Sequence, residues 1–339
     1  MSEFKSVIAG CGGIARVHAA VLNGMENVNL SAFCDIIPER AEKLKEKYGG
    51  NVYSSIEEML EREKPDVLHI CLPHYLHVPV AVSALKKGIK VFMEKPPCID
   101  ASQLRELAEA QTDRTLAVCF QNRYNACVQY AKELIESGKA GKVLGCRGYV
   151  TWHRPEEYYT LSGWRGKLST EGGGALINQS VHTLDLMTYL TGKPLRAEAS
   201  IQNHHLKGII EVEDMMEAYV EYENGAVGSF YATTAYHTDE TPLIEIDCEK
   251  MKLRMEDPAL TIIYPDGRRE EPELAGSAAA LGKSYWGTSH TECIKEFYTA
   301  AEKGRSFDTS LDKIMDTARL MLTCYDSARN GGMKELTEI

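Results

Sequence analysis

A glycine-rich hexapeptide near the start of the chain, GCGGIA at positions 10–15, constrains the fold more than any other segment. It follows the short apolar run KSVIA and precedes a stretch with helical periodicity, so it lies at a strand-to-helix turn. In a Gly-x-Gly-x-x-Ala spacing the first glycine permits a tight turn, the second lets the backbone approach a phosphate, and the small sixth residue lets helix pack on strand. The free N–H groups at that helix end attract anions. The motif predicts a dinucleotide-binding βαβ unit, with a flexible turn as the alternative, and its residues are Gly10, Gly12, Gly13, Ile14 and Ala15.

An acidic residue at the end of the next predicted strand, NLSAFCD, indicates which dinucleotide binds. Asp35 follows the glycine motif by about 20 residues, where a carboxylate accepts hydrogen bonds from the ribose hydroxyls and repels a 2′-phosphate. The next two residues, Ile36 and Ile37, do not offset that repulsion, although Arg40 is close enough in sequence to leave NADP as the alternative cofactor. The pattern favours NAD, and a helix-capping aspartate is the alternative for Asp35 taken alone.

Length and periodicity divide the chain of 339 residues into two domains. In residues 1–122 short apolar runs alternate with helical segments, which predicts an α/β dinucleotide-binding domain with a doubly wound parallel sheet. Residues 123–339 carry longer segments of alternating polarity, and Asn224–Gly225 is a strong hairpin signal. They predict a second α/β domain with a large open, mostly antiparallel sheet and late helices near 289–303 and 310–330. Its exposed Tyr- and Thr-bearing face leads us to expect a homodimer or homotetramer.

Composition excludes several classes of protein. The net charge of −11 gives no electrostatic footprint for nucleic acid or for an anionic membrane, so we expect neither as a partner. The N-terminus lacks the features of a signal peptide, and no apolar run approaches a membrane span. The ten cysteines form no C-x-x-C pair and lie in apolar segments, which predicts buried free thiols in a cytoplasmic protein. The histidine pairs show no metal-ligand pattern, so no metal site is expected.

The segment MEKPP places a lysine at the carboxyl end of a predicted parallel strand. That edge is where doubly wound sheets bind ligands, and next to NAD the charge of Lys95 could hold a substrate oxygen and lower the pKa of its hydroxyl. Glu94 precedes it, and the prolines that follow stiffen the turn and could include a cis peptide bond. A surface lysine that merely leaves a strand is the alternative.

The segment EGGGALINQSVHTLDLM begins a predicted helix with three glycines. At about 100° per residue, Asn178, His182 and Asp185 fall within a stripe of roughly 60° on one helix face. Such a stripe could bind two neighbouring hydroxyl groups and take a proton from one, while glycines 172–174 would let the backbone pass close to nicotinamide or substrate. The alternative is a glycine turn followed by a buried core histidine.

Aromatic and arginine side chains crowd into the segment TWHRPEEYYTLSGWRGK. Aromatic faces can stack on sugar rings and arginine can bind hydroxyls or a carboxylate, which suits a carbohydrate pocket as well as a loop that packs on its own domain. His290, near the start of a late helix, could close that pocket or merely begin the helix. The candidate substrate-binding residues of the segment are Trp152, Tyr158, Trp164 and Arg165.

Five motifs occur in the order and spacing of one known family: GCGGIA, CLPHYLH, MEKPP, QNRYN and EGGGALINQSVHTLD. From Lys5 to about Gly332 the chain resembles the Gfo/Idh/MocA family, the relatives of glucose–fructose oxidoreductase and inositol dehydrogenase. The resemblance implies a Rossmann domain followed by an α/β domain on a large open sheet. Members are mostly NAD(P)-dependent dehydrogenases of sugars, polyols and related cyclic molecules, and an enzyme of that kind is expected.

The resemblance also implies roles for single residues. Lys95 and His182 match the catalytic lysine and histidine of the family. Pro73 and His77 match positions near the nicotinamide. Arg123 lies where contact with substrate or cofactor is common.

Asn178 departs from the pattern, since many members have aspartate there. An amide can hold a hydroxyl but cannot take a proton, so proton removal falls on His182 assisted by Lys95, or on Lys95 itself. The expected reaction is reversible hydride transfer between the nicotinamide and a hydroxyl-bearing carbon of a sugar, polyol or sugar derivative. The alternatives are a redox-neutral, NAD-recycling enzyme of the glycosidase, lyase or epimerase type, and a non-catalytic NAD- or sugar-sensing regulator.

Overall fold

The computed structural model describes residues 3–111, 115–274 and 289–339. Within these ranges the chain forms two compact units. The first comprises residues 3–98, 102–111, 115–121 and 289–314, and the second comprises residues 99–101, 122–274 and 315–339. The sequence-based division into 1–122 and 123–339 assigns the stretch that ends at Ile314 to the second domain, so the two divisions differ there.

The elements alternate along the chain. The strands are β1 (Phe4–Ala9), β2 (Val28–Cys34), β3 (Asn51–Tyr53), β4 (Val67–Ile70), β5 (Lys90–Met93), β6 (Leu116–Val118), β7 (Val143–Thr151), β8 (Pro194–Gln202), β9 (Met215–Tyr222), β10 (Val227–Thr233), β11 (Leu243–Cys248), β12 (Lys252–Glu256), β13 (Ala259–Ile263), β14 (Arg269–Glu270) and β15 (Lys334–Glu335). The α-helices are α1 (Ala15–Asn23), α2 (Pro38–Tyr48), α3 (Ile56–Glu63), α4 (His74–Lys86), α5 (Ala101–Ala110), α6 (Ala126–Glu136), α7 (Glu156–Thr160), α8 (Val181–Thr191), α9 (His290–Lys303) and α10 (Leu311–Asn330).

The first unit is built on a parallel sheet of six strands in the order β3-β2-β1-β4-β5-β6. Its inner strands β1 and β4 are buried along most of their length because helices cover both faces of such a sheet. The strand order reverses between β1 and β4, and the carboxyl ends of strands beside this switch point form the usual ligand-binding edge. The predicted doubly wound parallel sheet is confirmed.

The second unit is built on a sheet of nine strands in the order β14-β13-β12-β11-β7-β10-β9-β8-β15. Neighbouring strands are antiparallel except β7 and β10, so the predicted large, mostly antiparallel sheet is confirmed. The Asn224–Gly225 turn joins β9 to β10 as predicted, and Gly225 has a φ of +84°. Helix α8 packs closely on β7 at Gly148, where a Cβ would lie 2.6 Å from the sulfur of Met187.

All ten cysteines are buried free thiols, as the sequence predicts. Within the described ranges, none of the helices combines the length and the apolar character that a membrane crossing requires.

Candidate active site

The glycine-rich loop connects β1 to α1 in the first unit. Gly10 has a φ of +86°, and a Cβ there would lie 2.4 Å from the carbonyl oxygen of Cys71. Any other residue would be strained and would collide with backbone, so this glycine is required by the turn. Gly12, by contrast, has open space where a Cβ would project. Helix α1 begins at Ala15, the last residue of the motif, and the loop leaves Gly13 exposed in front of it.

Asp35 connects this loop to the end of β2. One carboxylate oxygen accepts the backbone N–H of Cys11 at 2.7 Å and the other accepts that of Ile37 at 2.8 Å. A carboxylate has about four lone-pair sites, so Asp35 retains acceptor capacity for ribose hydroxyls while it holds the loop. Arg40 is exposed on the first turn of α2.

The lysine predicted to be catalytic lies two residues after the end of β5. Glu94 is buried, Lys95 is half-buried, and the Lys95–Pro96 peptide bond is cis, as the sequence allowed. His77 on α4 lies between two loops: its Nδ1 is 3.0 Å from the carbonyl oxygen of Pro96 and its Nε2 is 2.8 Å from that of Leu72. Burial lowers the pKa of His77, and these carbonyl oxygens oppose the shift.

Two other predicted residues belong to the same unit. Pro73 directly precedes α4, and His290 is the first residue of α9, where it is 4% exposed. Burial lowers the pKa of His290 to about 4, while the charge of Glu94 opposes that shift and the charge of Lys95 adds to it. His290 therefore lies in the electrostatic field of Glu94 and Lys95 and is uncharged at neutral pH.

Asn178 and His182 belong to two kinds of helix in the second unit. Residues Ala175–Ser180 form a π-helical turn, and α8 begins at Val181. The prediction of one α-helical stripe is therefore wrong in its first turn, because a wider turn carries Asn178. His182 is partly exposed between buried neighbours at the start of α8.

The three glycines before this turn are required by the packing of the second unit itself. A Cβ would lie 2.7 Å from the Cβ of Ile99 at Gly172, 2.0 Å from the hydroxyl of Tyr325 at Gly173, and 2.1 Å from the carbonyl oxygen of Glu213 at Gly174. The sequence interpretation attributed the missing side chains to nicotinamide or substrate. The described neighbours are side chains and backbone of the protein, which explains the glycines without a ligand.

Glu171, which the sequence interpretation missed, holds Asn178. Its carboxylate accepts the side-chain N–H of Asn178 at 2.5 Å and the backbone N–H of Gly166 at 2.5 Å. Burial raises the pKa of Glu171 to about 7, and these hydrogen bonds oppose the shift. The only signal of its role in the sequence is its position directly before the three glycines.

Arg123 is committed to a buried ion pair in the second unit. Its Nε and a terminal nitrogen donate to the two oxygens of Asp185 at 2.8 and 2.6 Å, and Thr317 donates to the same carboxylate at 2.7 Å. Arg123 and Asp185 are 2% and 1% exposed. This geometry gives both residues a structural role, and contact between Arg123 and a substrate or cofactor stays a prediction.

Replacing Arg123 with methionine is expected to lower the free energy of unfolding by about 3–5 kcal/mol, because the Asp185 carboxylate would stay buried without its guanidinium. Urea unfolding measures the loss. Adding Asp185→Asn should recover part of it, and the exposed control Arg105→Met should change stability by no more than about 0.5 kcal/mol. Wild-type stability with a raised KM would instead indicate a substrate-binding role.

The predicted aromatic and arginine residues form one cluster in the second unit. The guanidinium of Arg165 lies 4.4 Å from the ring centre of Tyr158 and 4.8 Å from that of Trp164. Tyr158 accepts the side-chain N–H of Gln179 at 2.8 Å, which ties the cluster to the π-helical turn. Trp152 is buried and donates through its ring nitrogen to the carbonyl oxygen of Glu240.

Arg154, a second residue that the sequence interpretation missed, packs against the rings of this cluster. It is 4% exposed, donates to Gln179 at 2.8 Å, and pairs with Asp239 at 3.0 Å. Its charge is therefore compensated, whereas Arg165 makes no ion pair with a carboxylate in the part of the chain that the structure describes. Arg165 is the better candidate for contact with a polar ligand.

Comparison with known proteins identifies the family. Residues 4–121 match the profile of the oxidoreductase family with an NAD-binding Rossmann fold, GFO_IDH_MocA, and residues 128–254 match the GFO/IDH/MocA C-terminal domain. The chain belongs to the Gfo/Idh/MocA family, as the motifs indicated. It is an oxidoreductase whose cofactor is NAD.

Similar proteins include several sugar dehydrogenases. D-glucoside 3-dehydrogenase of Escherichia coli (strain K12) is 30% identical over 67% of this chain and 69% of that protein. Glucose-6-phosphate 3-dehydrogenase of Bacillus subtilis (strain 168) is 27% identical over 65% of each chain. Among solved structures, the WlbA dehydrogenase from Bordetella pertussis in complex with NADH and UDP-GlcNAcA has a TM-score of 0.85 and 27% identity, over 99% of this chain and 100% of that chain.

Proposed function

We propose that this chain is an NAD-dependent dehydrogenase that oxidises a hydroxyl-bearing carbon of a sugar or sugar derivative. The observation that carries the proposal is the placement of Lys95 two residues after β5, in a parallel sheet whose glycine-rich loop follows β1. Carboxyl ends of parallel strands lie at one edge of a sheet, so a cationic side chain belongs to the edge at which the cofactor binds. The names of the similar dehydrogenases support a sugar as substrate.

In the proposed reaction a hydride passes from the substrate carbon to C4 of the nicotinamide, which is the chemistry that NAD supplies when bound. His182 takes the hydroxyl proton, Lys95 stabilises the developing alkoxide, and Asn178, oriented by Glu171, holds the reacting or a neighbouring hydroxyl. Asp35 binds the ribose hydroxyls, and the side chains of Trp164 and Arg165, with Tyr158 and Trp152, contact the sugar.

The test is a substrate panel. Purified protein is incubated with NAD⁺ and hexoses, hexose acids, inositols or simple glycosides, and the absorbance of NADH is followed. A rise with one class is expected and identifies the substrate class. No rise in NADH absorbance with any compound of the panel, with NAD⁺ binding demonstrated separately, would contradict the proposal.

A redox-neutral reaction is the second candidate. It is favoured by one comparison: 2,7-anhydro-N-acetylneuraminate hydratase of Mediterraneibacter gnavus (strain ATCC 29149 / DSM 114966 / JCM 6515 / VPI C7-9) is 26% identical over 71% of this chain and 64% of that protein. An enzyme that reduces and reoxidises its NAD in each turnover retains the cofactor. NAD that copurifies with the protein and resists dialysis, together with a silent panel, would favour this candidate.

We also propose that the chain acts in the cytoplasm as a homodimer or homotetramer that uses the nine-stranded sheet. Four apolar side chains on neighbouring strands, between 40% and 45% exposed, support an interface there: Leu144, Leu195, Tyr219 and Val227. Covering such side chains stabilises an assembly through burial of apolar surface. Sedimentation velocity of the purified protein measures the state, and a monomer at micromolar concentration would contradict it.

A further inference from the structure

Five buried polar side chains of the first unit, four from β1, α1, β4 and α9 and one from the turn after β5, form one continuous row of hydrogen bonds. The hydroxyl oxygens of Ser6 and Tyr298 are 2.7 Å apart, and the Tyr298 hydroxyl is 2.9 Å from Nε2 of His69. Nδ1 of His69 is 3.0 Å from Nδ1 of His18, and Nε2 of His18 is 3.0 Å from a carboxylate oxygen of Glu94. The first four side chains are fully buried and Glu94 is 7% exposed, so the row has no alternative partner in solvent.

An ionised Glu94 and a neutral His18 would together determine the direction of every hydrogen in the row. An ionised Glu94 only accepts, so His18 donates through Nε2, and a His18 in its neutral form then accepts at Nδ1. His69 must then donate through Nδ1 and accept at Nε2, where the hydroxyl of Tyr298 supplies the hydrogen. The oxygen of Tyr298 accepts in turn from Ser6. Every donor points toward Glu94, and no buried nitrogen or oxygen that links the row lacks its hydrogen bond.

The charge states agree with that direction. Burial by itself would raise the pKa of Glu94, but the hydrogen bond from His18 and the attraction of Lys95 lower it below its usual range. Burial lowers the pKa of His69 well below its usual value, so His69 is neutral. A neutral imidazole can donate and accept at the same time, as the row requires.

Burial disfavours the charged forms of four other titratable groups that interact with Glu94 or Lys95. Burial lowers the pKa values of His290 and His77. Burial raises those of the Cys71 and Cys119 thiols. The attraction between Glu94 and Lys95 is mutual, so an anionic Glu94 favours the protonated form of Lys95.

We infer that Ser6, Tyr298, His69 and His18 are positioning residues that keep Glu94 an oriented anion, and that Glu94 thereby keeps Lys95 an ammonium. The inference rests on the proposed role of Lys95 in dehydrogenation and decides between the two candidates for the base. A lysine held as a cation stabilises an alkoxide and does not take the proton, so His182 takes it.

One alternative use of the same atoms is a metal site. His18, Glu94 and Cys119 each place one possible ligand atom within 4.8 Å of the others. A metal would need His18 Nε2 without its hydrogen, whereas the row needs that hydrogen for Glu94. The position of the hydrogen on the His18 ring therefore distinguishes a metal site from the hydrogen-bonded row.

The first measurement is long-range ¹H–¹⁵N NMR of the imidazole rings in the full-length protein at pH 7. We expect hydrogen on Nε2 of His18 and on Nδ1 of His69, assigned with the variants His18→Gln and His69→Gln. Hydrogen on Nδ1 of His18, or on Nε2 of His69, would overturn the direction of the row. A metal bound in equimolar amount and lost in His18→Gln would overturn it as well.

The second measurement determines the protonation of Lys95 from its chemical reactivity and needs no substrate. Competitive acetylation with acetic anhydride from pH 6 to 10, followed by peptide mass spectrometry, gives the reactivity of Lys95 relative to exposed Lys86. In His18→Leu, which cannot donate to Glu94, Lys95 should react about tenfold faster at pH 8, the equivalent of about one pKa unit. In the matched variant His18→Gln, which retains a donor, it should stay near the wild-type rate.

A change of protonation shifts the pH midpoint of acetylation, whereas a change of access scales the rate at every pH. An unchanged midpoint in His18→Leu would overturn the inference even if the substrate panel identifies a dehydrogenase. A shifted midpoint with a silent panel would support the positioning of Lys95 and contradict only the proposed reaction.

Discussion

Methionine in place of Lys95 is expected to lower kcat for hydride transfer by about 10²–10³-fold, the usual cost of removing one donor that stabilises a developing oxyanion. Methionine keeps the length and apolar stem of lysine and removes only the charge. The dissociation constant for NAD⁺ should stay close to the wild-type value, because the glycine-rich loop and Asp35 carry the predicted dinucleotide contacts. Steady-state kinetics with the substrate found in the panel and titration of NAD⁺ by intrinsic fluorescence measure the two quantities.

The matched control is Lys90→Met, which removes a lysine from the beginning of the same strand. Its kcat should equal that of the wild-type protein, since Lys90 lies at the opposite end of β5 from the ligand-binding edge. Equal losses in both variants would mean that Lys95 acts through the stability of β5. A wild-type kcat in Lys95→Met would show that Lys95 takes no part in the mechanism.

Features set by a few consecutive residues could be predicted from the sequence. The loop around Gly10 is one, because a turn with positive φ between a strand and a helix needs glycine whatever surrounds it. The position of Lys95 at a strand end is another, since apolar run length and proline placement define that end locally. The Asn224–Gly225 hairpin follows from turn chemistry in the same way.

Features that join distant parts of the chain could not be predicted. His18 and His69 are 51 residues apart, and periodicity alone shows each only as a buried position in its element. Arg123 and Asp185 are 62 residues apart, so the sequence assigned the arginine to ligand contact when its buried partner was not visible. The helix of Asn178 illustrates a third limit, because a period of about 3.6 residues does not reveal a π-helical turn.

For the glycines before that turn, the sequence led to the correct family but to a wrong structural explanation. Their spacing marks the family, and the sequence interpretation explained them by a ligand. Instead, Gly173 and Gly174 make room for the hydroxyl of Tyr325 and the backbone of Glu213. Tyr325 also donates to Glu213 at 2.8 Å, so the motif fixes the turn against buried polar groups.

Alanine in place of His182 is expected to lower kcat by about 10²–10⁴-fold, the usual contribution of a general base, and NAD⁺ binding should remain. His182→Gln should lower kcat nearly as much, because glutamine can accept and donate a hydrogen bond but cannot act as a base. The exposed histidine His205, in the same unit, provides the control His205→Ala, which should turn over normally.

The pH dependence then decides which residue takes the proton. If His182 is the base, the fall in kcat/KM toward acidic pH reports protonation of that residue in the free enzyme, and His182→Ala should abolish it. If Lys95 were the base, the acid limb would persist in His182→Ala and disappear in Lys95→Met. Since the Glu94 carboxylate favours a charged Lys95, the first outcome is the one we expect.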